Sequence, residues 1–202
     1  MANKSTLKKT VTFTAIMTLL SFAYKLGMGI WTASIILIIA AISTFLVFIA
    51  KIAFIKTATK SRVEKKRAYL IIAVVTLIYS LIFISFSVLK LFGIDTSNQR
   101  TYTGIYGAIF IGIIFVMFIL SMYKLEGALE NDDLIVKGLK EITFVSALTD
   151  LVIIEDFVSR IILQYVEFPM MDKISSYFIL GISLLMLIIP FVMLVRCFRY
   201  QP

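Results

Sequence analysis

Apolar residues fill this chain in six long blocks separated by short polar or charged stretches, and no block alternates polarity residue by residue. A membrane β-strand would appear as ~10-residue segments of alternating polarity, whereas these runs are longer and continuously apolar, so the pattern predicts α-helices. A helix needs about 20 apolar residues to cross ~30 Å of hydrocarbon. The blocks that meet or approach that length are Thr10 to Ile30, Trp31 to Ile55, Tyr69 to Phe92, Tyr102 to Tyr123, Gly138 to Val166 and Ser175 to Val195. The expected architecture is therefore all-α, a polytopic transmembrane helix bundle of about six spans. It forms a single domain over residues 1–202.

Composition points the same way. Of 202 residues, 60% are hydrophobic and 16% charged, with a mean hydropathy of +1.00. Globular chains carry about 25% charged and about 45–50% apolar residues, so the expected solvent for most of this surface is lipid. The start of the chain has lysines ahead of an apolar run, as a secretory signal does. It lacks a small-residue cleavage site, since Phe22-Ala23-Tyr24-Lys25 follows, and the segment is expected to be retained.

The net charge of +8 raises nucleic acid as a partner until its location is considered. Lys51, Lys56, Lys60, Arg62, Lys65, Lys66 and Arg67 lie between two spans, with Glu64 the one acid among them. That is the signature of a cytoplasmic loop obeying the positive-inside bias, and the 51–68 segment is expected to rest on anionic lipid headgroups. With both termini cytoplasmic, 15 of the 20 basic residues fall on inner segments, and only Lys25, Lys90, Arg100 and Lys173 on outer ones. The reading is a multi-pass protein of the cell (plasma) membrane. The outer links are expected near Gly27 to Gly29, Gly93 to Thr103 and Glu167 to Ile174. The inner Lys124 to Lys137 link, with Glu126, Glu130, Asp132 and Asp133, reads as a solvated helix end.

The fifth span departs furthest from what lipid prefers, carrying Lys140, Glu141, Asp150, Glu155, Asp156 and Arg160. Insertion scales place Asp, Lys or Arg at a helix centre about 2.5–3.5 kcal/mol uphill, so these groups are expected to face protein or water. At 100° per residue Thr143, Ser146, Thr149, Asp150, Asp156, Arg160 and Gln164 fall within roughly 140°, with Glu155 opposite. Asp156 and Arg160, at i and i+4, can pair. Asp150, the deepest acid, has no base one turn away and becomes the first candidate for an ion or solute path. Ser146 and Thr149 stand beside it. Lys25 of the first span is expected to snorkel to the outer interface; the alternative is that it serves as the distant partner of Asp150.

Other polar features have ordinary explanations. Thr76, Tyr79, Ser80, Phe83, Ser87 and Lys90 recur at helical spacing on the third span, a stripe whose hydroxyls suit interhelical packing. Gly104, Gly107, Ala108 and Gly112 suggest close helix approach. Trp31, Tyr69, Tyr102 and Tyr123 read as interfacial anchors, and Pro190 as a kink. There is no histidine and one cysteine, Cys197, so neither Ser–His catalysis nor a His- or Cys-based zinc site is available. No phosphate-binding loop occurs. The sequence implies no enzyme, no metal and no cofactor.

Two resemblances accompany this reading. Tyr24-Lys-Leu-Gly-Met-Gly-Ile-Trp-Thr-Ala-Ser34 and Ser146-x-x-x-Asp150 resemble parts of the transmembrane domain of cation diffusion facilitators, which implies six spans and cytoplasmic ends. Ala40, Ser43 and Thr44 stand where that family has metal ligands on its second helix, so the metal site does not carry over. The span pattern, the basic 51–67 loop and the Ile-, Lys- and Phe-rich composition resemble small membrane proteins of low-GC Gram-positive bacteria. The functional expectation is a small secondary transporter of an ion or solute, with the fifth span lining the path. The competing expectation is an accessory or assembly subunit, acting as a homo-oligomer or with a partner membrane subunit.

Overall fold

A computed structural model describes residues 4–57, 60–92, 109, 111–116, 118–119, 133–165 and 170–199. Every regular element among them is an α-helix: α1 (Lys4–Trp31), α2 (Ile35–Thr57), α3 (Arg62–Leu91), α4 (Leu134–Tyr165) and α5 (Met171–Arg199). Residues 109, 111–116 and 118–119, from the fourth predicted span, are also helical. The rest of that span, the Lys124–Asp132 stretch of the inner link, and the Gly104, Gly107 and Ala108 motif lie outside the described residues. Among the described residues four helical segments are long and apolar enough to cross a membrane: Val11–Trp31, Ile35–Thr57, Arg62–Leu91 and Lys173–Arg199. Their exposed faces carry large apolar side chains, such as Phe13, Leu20, Ile71, Ile78, Leu185 and Phe191. Bare to water, those faces would drive aggregation; against acyl chains they are at home. The protein is an all-helical bundle suited to a membrane.

Local chemistry sets the helix starts. Ser61 caps α3, its hydroxyl accepting from the Glu64 amide at 3.4 Å in a Ser-x-x-Glu sequence. Asp133 caps α4, its Oδ1 accepting from the Ile135 amide at 3.1 Å. The basic stretch after the second span is therefore mostly helix rather than loop, since α2 continues to Thr57 and α3 begins at Arg62.

The connection between α1 and α2 is not at Gly27 to Gly29, where the glycines suggested it. Helix α1 continues to Trp31, and the Ser34 amide donates to the Gly29 carbonyl at 2.9 Å while the Ala33 amide donates to Ile30 at 3.2 Å. These paired bonds form a Schellman ending. Its left-handed position, usually glycine, is held by Ala33 at φ 51°, a conformation that costs an L-residue roughly 1–2 kcal/mol. Gly29 has a different job. A Cβ there would lie 2.9 Å from Ile38 Cγ1 and 3.2 Å from Leu37 Cβ, so its bareness lets α1 close onto α2 just before the turn.

Among the described helices, α1 packs along α2 alone, whereas α4 packs against α2, α3 and α5. The buried positions described on α1 are Val11, Ala15, Thr18, Lys25 and Gly29, steps of three, four and seven that make one narrow seam. Two apolar clusters fill the bundle. One joins Leu37, Phe83, Val152 and Met186, and the other joins Val47, Tyr69, Ile135 and Met193. On α2 the polar pair Ser43–Thr44 separates them.

Pro190 lies within α5, which is continuous. Proline has no N–H, so the carbonyl four residues earlier, Met186, loses its helical donor. The Ser80 hydroxyl of α3 stands 2.9 Å from that carbonyl and is placed to donate to it. Ser80→Ala is accordingly expected to lower stability by about 1 kcal/mol, the scale of an interhelical hydrogen bond in a membrane, measured by unfolding in mixed micelles. Ser80→Ala introduced into Pro190→Ala should cost measurably less, because an alanine amide restores the missing donor.

Candidate functional site

Among the described helices, the one that looks least suited to lipid is the one most surrounded by protein. At 1.5 Å per residue the 32 residues of α4 extend about 48 Å, and its acids are matched by groups on the neighbouring helices in three layers.

The middle layer centres on Asp150. Its Oδ1 accepts from Lys25 Nζ at 2.5 Å, and the same ammonium donates to Thr44 Oγ1 at 3.0 Å. Lys25 and Asp150 are 3% and 4% exposed, so this pair is sealed from its surroundings. The expectation that Lys25 snorkels is thereby corrected. An outward stem would leave Asp150 a bare buried charge, whereas the inward one satisfies two ions at once. Hydroxyls frame the pair. Tyr79 and Thr149 lie oxygen to oxygen at 2.9 Å, and Ser43 lies 3.4 Å from Ser146. Lys25, Ser43, Thr44, Tyr79, Ser146, Thr149 and Asp150 thus bring four helices to one polar centre. Thr44 and Thr149 also bond back to their own helices, at Ala40 and Val145, which fixes where their oxygens sit.

The layer toward the end of α4 is about 8–9 Å further along the axis at 1.5 Å per residue. Lys90 of α3 donates to Asp156 at 2.8 Å and to Ser175 of α5 at 3.3 Å. Ser175 in turn donates to Glu155 at 3.0 Å, and Ser159 to the other Glu155 oxygen at 2.5 Å. Glu155, opposite the polar sector of its helix, therefore meets α5 rather than lipid. Lys90 thus brings Asp156 a cation from α3; the side chain of Arg160, its expected i+4 partner, lies outside the described residues, as does that of Gln164.

The layer toward the start of α4 is about 13 Å from Asp150 on the same rise. Arg196 of α5 donates to Glu141, which also accepts from the Tyr69 hydroxyl at 2.9 Å. Lys65 donates to Asp133 at 2.6 Å about two turns further out along α4. Tyr69 is fully buried here, which corrects its reading as an interfacial anchor. Gly138 makes room for it, since a Cβ at that position would lie 2.6 Å from Tyr69 Cδ2. By contrast, a Cβ built at Gly112 meets nothing within 4 Å, so that glycine carries no close approach among the described residues. Trp31 is exposed at the end of α1, as an anchor would be.

Lys51, counted with the basic loop, instead lies within α2 and turns back on α1, donating to Thr18 Oγ1 at 2.5 Å and to the Thr14 carbonyl at 3.1 Å. Cys197 is buried, its Sγ 4.0 Å from the Lys66 carbonyl. Every fully buried side-chain nitrogen and oxygen among the described residues has a hydrogen-bond partner. Away from these layers, an open apolar groove on α5 is lined by Ile188, Phe191, Val192, Val195, Arg196 and Arg199. Among the described residues no three His, Cys, Asp or Glu side chains cluster as metal ligands do.

Fold and site together define an all-helical, membrane-type protein with a buried Lys–Asp ion pair at its polar centre. Sequence comparison adds no family to that description: no protein-family model matches the chain, and no curated protein matches it.

Proposed function

We propose that the chain is a small secondary transporter of the plasma membrane, with six spans, both ends in the cytoplasm and the Lys25–Asp150 centre on its transport path. The observation that carries this reading is the placement of a sealed ion pair midway along the most enclosed of the described helices, ringed by hydroxyls from three helices. Ionisable groups at such depth are expensive, and in membrane bundles they mark ion and proton pathways. A scaffold could use leucine there at no such cost. In this reading the Glu141–Arg196–Tyr69 and Lys90–Asp156–Ser175 layers are the closures on either side, and the sealed centre is an occluded state. The concentration of basic residues on inner segments supports the orientation, and the exposed Lys56, Lys60, Arg62, Arg67 and Arg199 offer anionic headgroups a positive inner surface.

A second reading rests on the complete partnering of buried polar groups. An accessory or assembly subunit would use the ion pairs as permanent fastenings and the exposed apolar face of α1 as its contact surface. Vesicle flux separates the two. Proton and small-solute uptake into vesicles containing the wild type is expected to exceed that of empty vesicles and to fall at least tenfold in Asp150→Asn. Absence of uptake under every gradient applied would leave the subunit reading standing.

A further inference from the structure

The middle layer has the composition of a cation site that is already filled, and the filling group is the protein's own. Lys25 contributes an ammonium; everything around it contributes oxygen. Asp150 supplies the one carboxylate and Thr44 a hydroxyl, both within hydrogen-bond reach of Nζ, and the Thr149–Tyr79 and Ser43–Ser146 hydroxyl pairs stand behind them. These oxygens belong to α2, α3 and α4, which pack on one another. The ammonium belongs to α1, the helix with the least packing, joined to the rest through a single seam and a turn at Ala33 held in a strained conformation. Occupant and socket are thus on different helices. Withdrawal of α1 would leave one negative charge and a set of neutral oxygens in an apolar interior, a site short of one positive charge.

We propose that Asp150 and Thr44 form a binding site for a monovalent cation of the primary-ammonium type, for which the Lys25 side chain is a tethered competitor. The charge count sets the valence, because one carboxylate among neutral hydroxyls balances one positive charge and leaves a divalent ion uncompensated. The geometry sets the class. Acceptors at 2.5 and 3.0 Å from a tetrahedral nitrogen suit N–H donors, which a quaternary ammonium cannot supply. The inference rests on the transport reading, in that the cation admitted when Lys25 leaves is the transported species.

The test is chemical rescue of Lys25→Ala in detergent, with methylammonium chloride as the probe and tetramethylammonium chloride as the control for charge and ionic strength. The expected result is a saturable rise in the melting temperature of Lys25→Ala with methylammonium alone, no such rise in the wild type, whose socket is occupied, and none in Lys25→Ala/Asp150→Asn. Equal shifts with both salts, no shift, or a shift that survives Asp150→Asn would overturn the proposal. Should Lys25→Ala fail to fold while the double variant folds, extraction in methylammonium becomes the readout: recovery supports the site and continued loss overturns it. The rescue does not depend on flux, so the two readings fail separately. An intact rescue without uptake removes transport, and uptake by the wild type without rescue removes the ammonium site.

Discussion

Replacing Lys25 with methionine is expected to lower the unfolding free energy by about 3–5 kcal/mol, the cost of stripping one partner from a buried ion pair. Methionine keeps most of the stem and its packing against α2, so the loss isolates the charge. What remains is Asp150, 4% exposed, with Thr44 and no cation at 2.5 Å. Adding Asp150→Asn to the same chain should recover more than half of the loss, because the stranded charge is then gone, although each single substitution destabilises. Chemical unfolding of the three variants in mixed micelles gives the cycle directly. If the ammonium lay at the membrane surface instead, Lys25→Met would behave as a surface change, within about 0.5 kcal/mol, and the double variant would show no recovery.

The second large effect is expected at Gly138. Valine there is predicted to cost about 3 kcal/mol, combining overpacking of ~1–3 kcal/mol with weakening of a charge-assisted hydrogen bond worth ~1.5–3 kcal/mol. The first added atom would already stand 2.6 Å from the Tyr69 ring and 3.0 Å from its next carbon. Tyr69 cannot retreat easily, being fully buried with its hydroxyl on Glu141, itself bound to Arg196. The fit of one glycine thereby governs an ion pair three residues further along the helix. Tyr69→Leu, which removes the clashing edge, should make Gly138→Val markedly less harmful, and the sign of that coupling in a double-mutant cycle checks the mechanism.

The sequence exposes this architecture unevenly, for reasons that particular residues make plain. Asp150 is conspicuous because an acid within an apolar run is energetically out of place wherever its partner lies. Lys25 is equally conspicuous, but a long flexible stem has two destinations, and the choice is made by a carboxylate 125 residues away. Lys90 reaches Asp156 from another helix, a partner that spacing along one chain cannot reveal. Tyr69 looked like an anchor since tyrosines cluster at span ends; only the bare Cα of Gly138 across the interface reveals the pocket that accepts it. The turn between α1 and α2 was masked by two glycines that serve packing or nothing visible, while the residue in glycine-like geometry is an alanine. The helices themselves, set by long apolar runs, follow the pattern closely among the described residues.

The separation between Lys25 and Asp150 also bears on how the chain is made. During synthesis the first two helices form a hairpin long before α4 exists, and at 5–20 residues per second the ribosome needs about 6–25 s to add the 125 residues that separate the two groups. Throughout that interval the lysine is a lone cation in a segment about to be released into hydrocarbon. Its stem can reach the headgroups, or the insertion machinery can retain the hairpin until the carboxylate arrives. Lys25 therefore exists for seconds without the counter-ion that seals it in the folded bundle, and the order of synthesis sets how long that charge stays uncompensated.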